Sequence, residues 1–575
     1  MMLCVAGLLA GFSVQAAETQ KSGLAAAVEQ AWRLNPQAAG LDAREAEARA
    51  AQDVAAGLTP EPGSVSIGNL NDRFNRNQGK QEYEVELAVP LWLPGQKTAR
   101  EAEATSRLDE TVARRAALRL EYDAGDDYGR SDRGAGTRVM VEYVSANPTG
   151  PVHAGHARGA VYGDSLARLL RFVGHEVSDE FYVNDRGVQM QAFAQSLATR
   201  AAGQEPPEGG YMGQYIVDWA EQMPADADPL DWGEAHALAD QRRVLASLGV
   251  EFDTWFSERS LLASGAIDET LADLRERDMV EDRDGAVWLR STVFGDDKDR
   301  VLVKGDGEYT YLLPDIAYHR DKFARDVDLV INVWGADHHG YVARMKAAIQ
   351  ALGHDPDDLE VVITQLVRLE RDGEEVRISK RAGDLITLED LVDEVGADAV
   401  RLTYLLQSVD SPQTVDLGLI VQQSNENPVF YVQMANARIA SIGRVAVERG
   451  IERRPLAEVD LSVLTHEREL EVLRQLEALP EVVVLAARER APHKVTTWVR
   501  ELAAAVHGFY HDCPILHPDT PDELRQARWW LAESAGVGLR VGLGLLGVSA
   551  PDQMDRLPAD DADLGSGTGV AAASD

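Results

Sequence analysis

From Thr137 to about Ser408 the chain alternates short apolar runs with segments of helical period, and this feature narrows its fold most. The stretches "TRVMVEYVSA", "DLVINVWG" and "LEVVITQLVRL" read as buried strands, and the first leads through a loop into the helical pattern "ARGAVYGDSLARLL". Parallel strands joined by crossover helices satisfy such a pattern, so residues 121–408 are expected to form an α/β domain with a mostly parallel sheet. Beyond "SNENPVFYVQMANARIASIGRVAVERG" the pattern stays helical to Leu557, which predicts an α-helical bundle over 409–557. The polar end, 558–575, reads as a disordered tail. With 575 residues, the chain has room for more than one full-sized core.

The front of the chain has a different character. "MMLCVAGLLAGFSVQAAETQ" (1–20) has the apolar-then-small shape of an export signal, without its usual positive start. Residues 21–120 follow as an Ala-rich helical pattern, the strand-like alternation Glu82-Tyr83-Glu84-Val85-Glu86-Leu87, and a second Ala/Arg/Glu helix from about Thr98. Charge separates the two parts. Residues 1–120 carry 13 Lys and Arg against 15 Asp and Glu, whereas the rest carries 44 against 80, for a total of −38. That balance opposes a nucleic-acid surface. With only nine lysines, it matches the solvated acidic surface of proteins adapted to high salt. Two cysteines, Cys4 and Cys513, provide neither a disulfide framework nor a zinc set.

Two motifs carry chemistry. His153-Ala154-Gly155-His156 follows a strand and precedes a helix, which puts both imidazoles at the carboxyl edge of a parallel sheet, where open α/β sheets bind ligands. Gly155 leaves room for a flat base to approach the backbone. The imidazoles are suited to donating to phosphate oxygens in nucleotidyl transfer. In isolation the same spacing would equally fit two surface or metal-type histidines. The second motif is "VRISKRAGD", with Ser379, Lys380 and Arg381 in a Gly-containing loop able to close over a triphosphate. A lysine kept among nine marks a place for a compact ammonium. Gly542, Gly544 and Gly547 spell GxGxxG, but within a late helical run, where close helix packing is the expected reason.

Together these motifs resemble the HIGH and KMSKS signatures of class I aminoacyl-tRNA synthetases. "VEYVSANPTGPVHAGHARGAVYGD", "FYVNDRGVQM", "FDTWFSE", "YTYLLPDIAYH", "GADHHGYVARM", "GADAVR" and "ENPVFYVQMANARI" resemble the arginyl-tRNA synthetase family, in order, over about 123–557. The resemblance implies a Rossmann-type catalytic domain, followed by a helical anticodon-binding domain. It implies ATP with Mg²⁺, formation of arginyl-adenylate, and transfer of arginine to the 2′-hydroxyl of the terminal adenosine of tRNA(Arg), in the cytoplasm and by a monomer. His153, Gly155, His156, Gly335, Asp337, His338, Ser379 and Lys380 would then bind ATP, with His153, His156 and Lys380 catalytic. Glu142, Ser145, Asn147, His156, Tyr311 and Asp315 would bind arginine, and a planar guanidinium suits the paired carboxylates of Glu142 and Asp315. Tyr311 and Asp315 would share a helix face; taken alone they would read as a core tyrosine and a capping aspartate. Tyr431, Gln433 and Arg438 would contact tRNA by stacking and edge contacts, though each would also suit a packed helix.

Two departures stand out. The signature loop begins with Arg377 in place of the family's first lysine. Residues 1–120, through "AWRLNPQ" and "VPLWLPGQK", resemble the start of a TolC-type outer-membrane efflux protein and occupy the place of the family's N-terminal domain, an α/β fragment of unrelated origin. A fusion near residue 120 is therefore expected. The rival readings are an inactive fusion and an exported fragment of an efflux channel.

Overall fold

The computed structural model describes residues 125–371, 373–376 and 386–554, with short pieces between 50 and 102. The expected Ala-rich helices, the signal-like start and the C-terminal tail lie almost wholly outside these residues. In the N-terminal region an antiparallel hairpin is described, β1 (Ser64–Asn71) and β2 (Gln81–Ala88), with Ile67 opposite Val85 and Val65 opposite Leu87. The alternation seen in the sequence is thus a strand, and these four apolar side chains share one exposed face.

The chain divides into two compact units, Gly125–Val445 with Ala478–His507 and Ala535–Asp575, and Met1–Ala124 with Ala446–Glu477 and Gly508–Ser534. The first unit is built on a five-stranded parallel sheet of β3 (Arg138–Glu142), β4 (Glu176–Val183), β5 (Thr254–Ser257), β9 (Leu329–Gly335) and β10 (Leu359–Thr364). Its order is β10-β9-β3-β4-β5. From β3 the chain fills one side with β4 and β5, then returns to the other side with β9 and β10. The direction reverses between β3 and β9, which opens a crevice at their carboxyl ends. Val139, Met140, Val141, Val330 and Ile331 are buried, as expected of central strands covered on both faces.

The crossover from β3 to β4 is α1 (Ala157–Phe172), whose Leu166, Leu169 and Leu170 are fully buried. Between β4 and β5 lie α2 (Val188–Ala201), α3 (Gln214–Gln222) and α4 (Pro229–Ser247), packed around Phe193, Leu197, Ile216 and Trp219. α4 begins where Pro229 presets the first turn and the Asp228 carboxylate accepts from the amides of Leu230 and Asp231 at 2.9 and 3.0 Å. After β5 come α5 (Glu258–Ala263), α6 (Ala266–Glu276), the antiparallel sheet of β6 (Val280–Arg283), β7 (Ala286–Leu289) and β8 (Arg300–Val303), and α7 (Leu312–Ala324). The helix α8 (Val342–Ala351) joins β9 to β10.

A small sheet follows, with β12 (Glu374–Val376), β11 (Val367–Arg371) and β13 (Gln413–Asp416) in that order. Because β13 pairs with β11, the α/β part of the fold runs past the boundary expected at 408. A strand of so few residues carries no readable period. Between β12 and β13 lie α9 (Leu388–Val395) and α10 (Ala397–Tyr404), and α11 (Leu417–Ile420) follows. Four long helices then run as α12 (Pro428–Glu448), α13 (Glu467–Arg488), α14 (His493–Asp512) and α15 (Asp522–Leu545).

The "DAVR" segment on α10 acts as a buried clasp. Arg401 is 1% exposed, pairs with Asp164 of α1, and donates to the carbonyls of Leu248 at 3.0 Å and Leu546 at 2.9 Å. Asp398 accepts from the Ser549 amide at 2.9 Å. Gly547, at φ +67°, lies where a side chain would overlap the Arg401 guanidinium, and a side chain at Gly542 would overlap Val499. Gly542 and Gly547 therefore serve packing, whereas a side chain at Gly544 would meet open space. In the second unit, Arg528 pairs with buried Glu469 at 2.7 Å, and Arg453 lies 3.9 Å over the Trp530 ring.

Candidate active site

The loop leaving β3 starts under strain. Val144 and Ser145 have φ of 69° and 43°, unfavourable for any side chain and worst for a β-branched one. The turn is held because the Ser145 hydroxyl donates to Glu142 Oε1 at 2.9 Å and accepts from the Tyr182 amide at 3.2 Å. Asn147 is exposed nearby and donates to Gln189 Oε1 at 2.7 Å. The chain then reaches a single 3₁₀ turn, Ala154–His156, which feeds directly into α1.

His153 caps that turn. Its Nδ1 accepts from the Gly155 amide at 3.1 Å, which leaves Nε2 as the protonated nitrogen of the neutral ring. The His153 and His156 rings lie 3.8 Å apart, centroid to centroid. Gly155 is exposed, and a Cβ there would stand 2.8 Å from His153 Nδ1, so its bare backbone is what lets the capping imidazole fold over it. The same segment is stitched to residues just after the "RISKR" loop. Ala154 donates to the Ile386 carbonyl at 3.1 Å, Leu388 donates to Val152 at 2.8 Å, and His153 bridges Thr387. Ser379 and Lys380 themselves lie outside the described residues; Ile386 and Thr387 sit against Ala154 and His153.

Around the carboxyl ends of the strands three carboxylates come from three elements: Glu142 from β3, Glu258 from the start of α5, and Asp315 from the first turn of α7. Glu142 is buried, with Lys322 Nζ 2.6 Å from Oε2. Burial pushes the Asp315 carboxyl up to about 7; the hydroxyl of Tyr341, donating at 2.6 Å, opposes the shift, and the charges of Glu258 and Glu142 add to it. Burial also raises the Glu258 carboxyl, against the pull of Arg186 at 3.3 Å. A pocket whose acids repel one another in this way is suited to a cation that relieves them. Tyr311 is 89% exposed at the cap of α7, one turn before Asp315, whose amide donates to the Tyr311 carbonyl at 3.4 Å, so it is not a core tyrosine.

On the other side of the crevice, Gly335 ends β9 and opens the turn Ala336–Tyr341. A Cβ on Gly335 would lie 2.7 Å from Asp337 Oδ1. Asp337 and His338 are exposed, 3.5 Å apart. Among the described residues no cluster of three or more His, Cys, Asp or Glu is arranged to hold a metal ion.

The three residues expected to meet tRNA part company. Gln433 is buried, and its amide donates to Asp398 Oδ2 at 2.8 Å and to the Ser549 carbonyl at 3.1 Å. It belongs to the clasp rather than to a surface, which corrects that expectation. Tyr431 and Arg438 remain half-buried on α12 and converge on His507 of α14. The Tyr431 ring is 4.4 Å from the imidazole, and Arg438 Nη1 is 2.9 Å from Nδ1.

Sequence reasoning missed Lys322, Asn332, His319, Tyr341 and Glu258. The scarcity of lysine that singled out Lys380 also pointed to Lys322, and Glu258 closes the quoted "FDTWFSE".

Comparison with known proteins agrees with this geometry. Residues 125–206 and 238–416 match the family described as tRNA synthetases class I (R), catalytic domain, and residues 432–554 match the DALR anticodon binding domain. The arginine–tRNA ligase of Bacillus subtilis (strain 168) is 46% identical over 451 residues, covering 75% of this chain and 81% of that protein. The arginine–tRNA ligase of Bacillus cereus (strain ATCC 10987 / NRS 248) is 47% identical over the same shares. Among solved structures, a putative arginyl tRNA synthetase from Campylobacter jejuni superposes with a TM-score of 0.71 at 33% identity, covering 77% of this chain and all of that one. Thermus thermophilus arginyl-tRNA synthetase shares the fold, with a TM-score of 0.61 at 20% identity over 88% and 92%. With this identity and coverage added to the paired histidines, the carboxylate pocket and the clasp, the chain belongs to the arginine–tRNA ligases, class I aminoacyl-tRNA synthetases.

Proposed function

We propose that this ligase joins arginine to ATP as arginyl-adenylate, then transfers the arginyl group to the 2′-hydroxyl of the terminal adenosine of tRNA(Arg). The observation that carries the reading is the stitching of the His153–His156 turn to Ile386, Thr387 and Leu388 at the carboxyl edge of the sheet. In this reading His153 and His156 donate to the phosphates as charge develops, and Ser379 and Lys380 close over the leaving pyrophosphate. Gly335 supports the nucleotide assignment, since a side chain there would crowd Asp337; Asp337 and His338 complete that edge. Mg²⁺ would be held by the triphosphate itself and would supply charge neutralisation there, since no described cluster of His, Cys, Asp or Glu is arranged to hold a metal. Glu142, Ser145, Asn147, Tyr311 and Asp315 take the amino acid, with His156 between the two substrates. Tyr431 and Arg438, with His507, form a half-buried aromatic and cationic surface suited to stacked bases.

We read residues 1–120 as an efflux-channel-like piece of separate origin, supported by the break in charge near residue 120. The substrates imply a cytoplasmic enzyme, and we take it as a monomer; no described helix is long and apolar enough to cross a membrane. The test is transfer of labelled arginine to tRNA by the full chain at high salt with ATP and Mg²⁺, with labelled lysine as control. Charging by arginine alone is expected. Equal charging by lysine, or none from folded chain, overturns the reading.

A further inference from the structure

Lys322 has no exposed surface. Its ammonium donates to Glu142 Oε2 at 2.6 Å and to Asn332 Oδ1 at 2.9 Å, and lies 4.3 Å from the centre of the Tyr318 ring. Burying an ammonium is unfavourable unless an anion and hydrogen bonds compensate it, and here Glu142 supplies the anion. The contacts continue on both sides. Glu142 Oε1 accepts from Ser145, at the strained turn after β3. Asn332 Nδ2 meets His319 Nε2 at 2.8 Å, and His319 Nδ1 meets the Asp315 carbonyl at 2.8 Å. Burial, with the Lys322 charge beside it, holds the His319 ring down at about 3, so it is neutral at physiological pH. Neutral imidazole fits one arrangement only. Nδ1–H donates to Asp315 O, Nε2 accepts from the Asn332 amide, and the Asn332 carbonyl is left facing the ammonium. Donating both ways, Lys322 thus links the Glu142 carboxylate on one side to the backbone of Asp315 on the other.

We propose that Lys322 is a positioning residue for arginine: it presets the Glu142 carboxylate directly and, through Asn332 and His319, holds the backbone that carries the Asp315 carboxylate. This rests on the reading of Glu142 and Asp315 as arginine contacts. Lys322 touches no substrate in this scheme. Its effect is confined to one pocket, so arginine and ATP should respond differently. A compact ammonium is needed because it must serve Glu142 and Asn332 at once in a space closed by Tyr318.

The test compares K322M, K322R, N332D and E142Q as full chains, with KM for arginine and for ATP read from tRNA charging and folding checked by thermal melting. N332D keeps the volume but offers the ammonium a competing carboxylate. K322M and N332D are expected to raise the KM for arginine about tenfold or more, the scale of a misplaced binding group, while the KM for ATP moves less than about twofold. K322R should bring the arginine KM part of the way back. If E142Q raises the arginine KM while folded K322M and N332D leave it unchanged, the proposal is wrong. A matching rise in both KM values, or loss of kcat alone, would make Lys322 merely structural and equally overturn it. Should K322M fail to fold, N332D decides. If E142Q leaves the arginine KM unchanged, the underlying assignment of Glu142 fails instead.

Discussion

Replacing Asp315 by asparagine should make the ligand-free protein more stable at alkaline pH and impair arginine use. The carboxyl is raised from its ordinary 3.8 to about 7 by burial and by the neighbouring charges of Glu258 and Glu142, with only the Tyr341 hydroxyl and Lys322 opposing. A group raised on folding contributes its stability fully below the unfolded value and loses it as pH climbs through the folded one. Each tenfold change in proton affinity is worth about 1.4 kcal/mol, so at pH 8 the ionised carboxylate costs about 4 kcal/mol relative to a neutral side chain, and at pH 5, where the carboxyl takes up a proton on folding, only about 2 kcal/mol. Asparagine cannot ionise and keeps a similar shape. Urea unfolding of wild type and D315N at pH 5 and 8 should show D315N gaining about 2–3 kcal/mol between the two conditions. A bound guanidinium would relieve the same repulsion, so the KM of the wild type for arginine should fall with rising pH and level off above about 7. No change in the stability difference between pH 5 and 8 would refute the assignment of the raised carboxyl to Asp315.

Other consequences follow from the same structure. Arg401→Ala leaves buried Asp164 with Arg168 as its remaining guanidinium and strips the carbonyls of Leu248 and Leu546 of their donor, and should cost about 3 kcal/mol by chemical denaturation; Gly547→Ala should also destabilise, since a side chain there strikes Arg401 in a backbone conformation that disfavours it. His153→Ala and His156→Ala should each lower the rate of charging by about 10²–10³ with little change in melting temperature, measured with saturating arginine and ATP. A chain of net charge −38 should melt higher as KCl is raised from about 0.1 to 1 M, because the screening length falls from about 10 to 3 Å; a melting point indifferent to salt would remove the reading of a salt-adapted surface.

Periodicity and motif order made much of this protein legible in its sequence. A strand repeats every two residues and a helix every 3.6, so the runs "TRVMVEYVSA" and "DLVINVWG" announced sheet strands, though the first stops at Glu142 short of Ala146, and the turn between a strand and α1 led to the expectation of His153 and His156 at the carboxyl edge. The acidic surface and the break near residue 120 were composition alone. The strand order, the pairing of β13 with β11 beyond residue 408, and the clasp of Arg401 on Asp164 were not visible, because each joins elements far apart in the chain. Gln433 shows the limit plainly: its place in a helical motif offered no sign that Asp398 and Ser549 would hold its amide. So does Lys322, 180 residues from Glu142 along the chain and 2.6 Å from it in the fold. Local sequence sets what each segment becomes, since backbone geometry and solvent sort side chains within a few residues. Which charges meet in the crevice was decided only when the sheet closed and α7 packed against β3 and β9, where burial makes every unmatched charge costly.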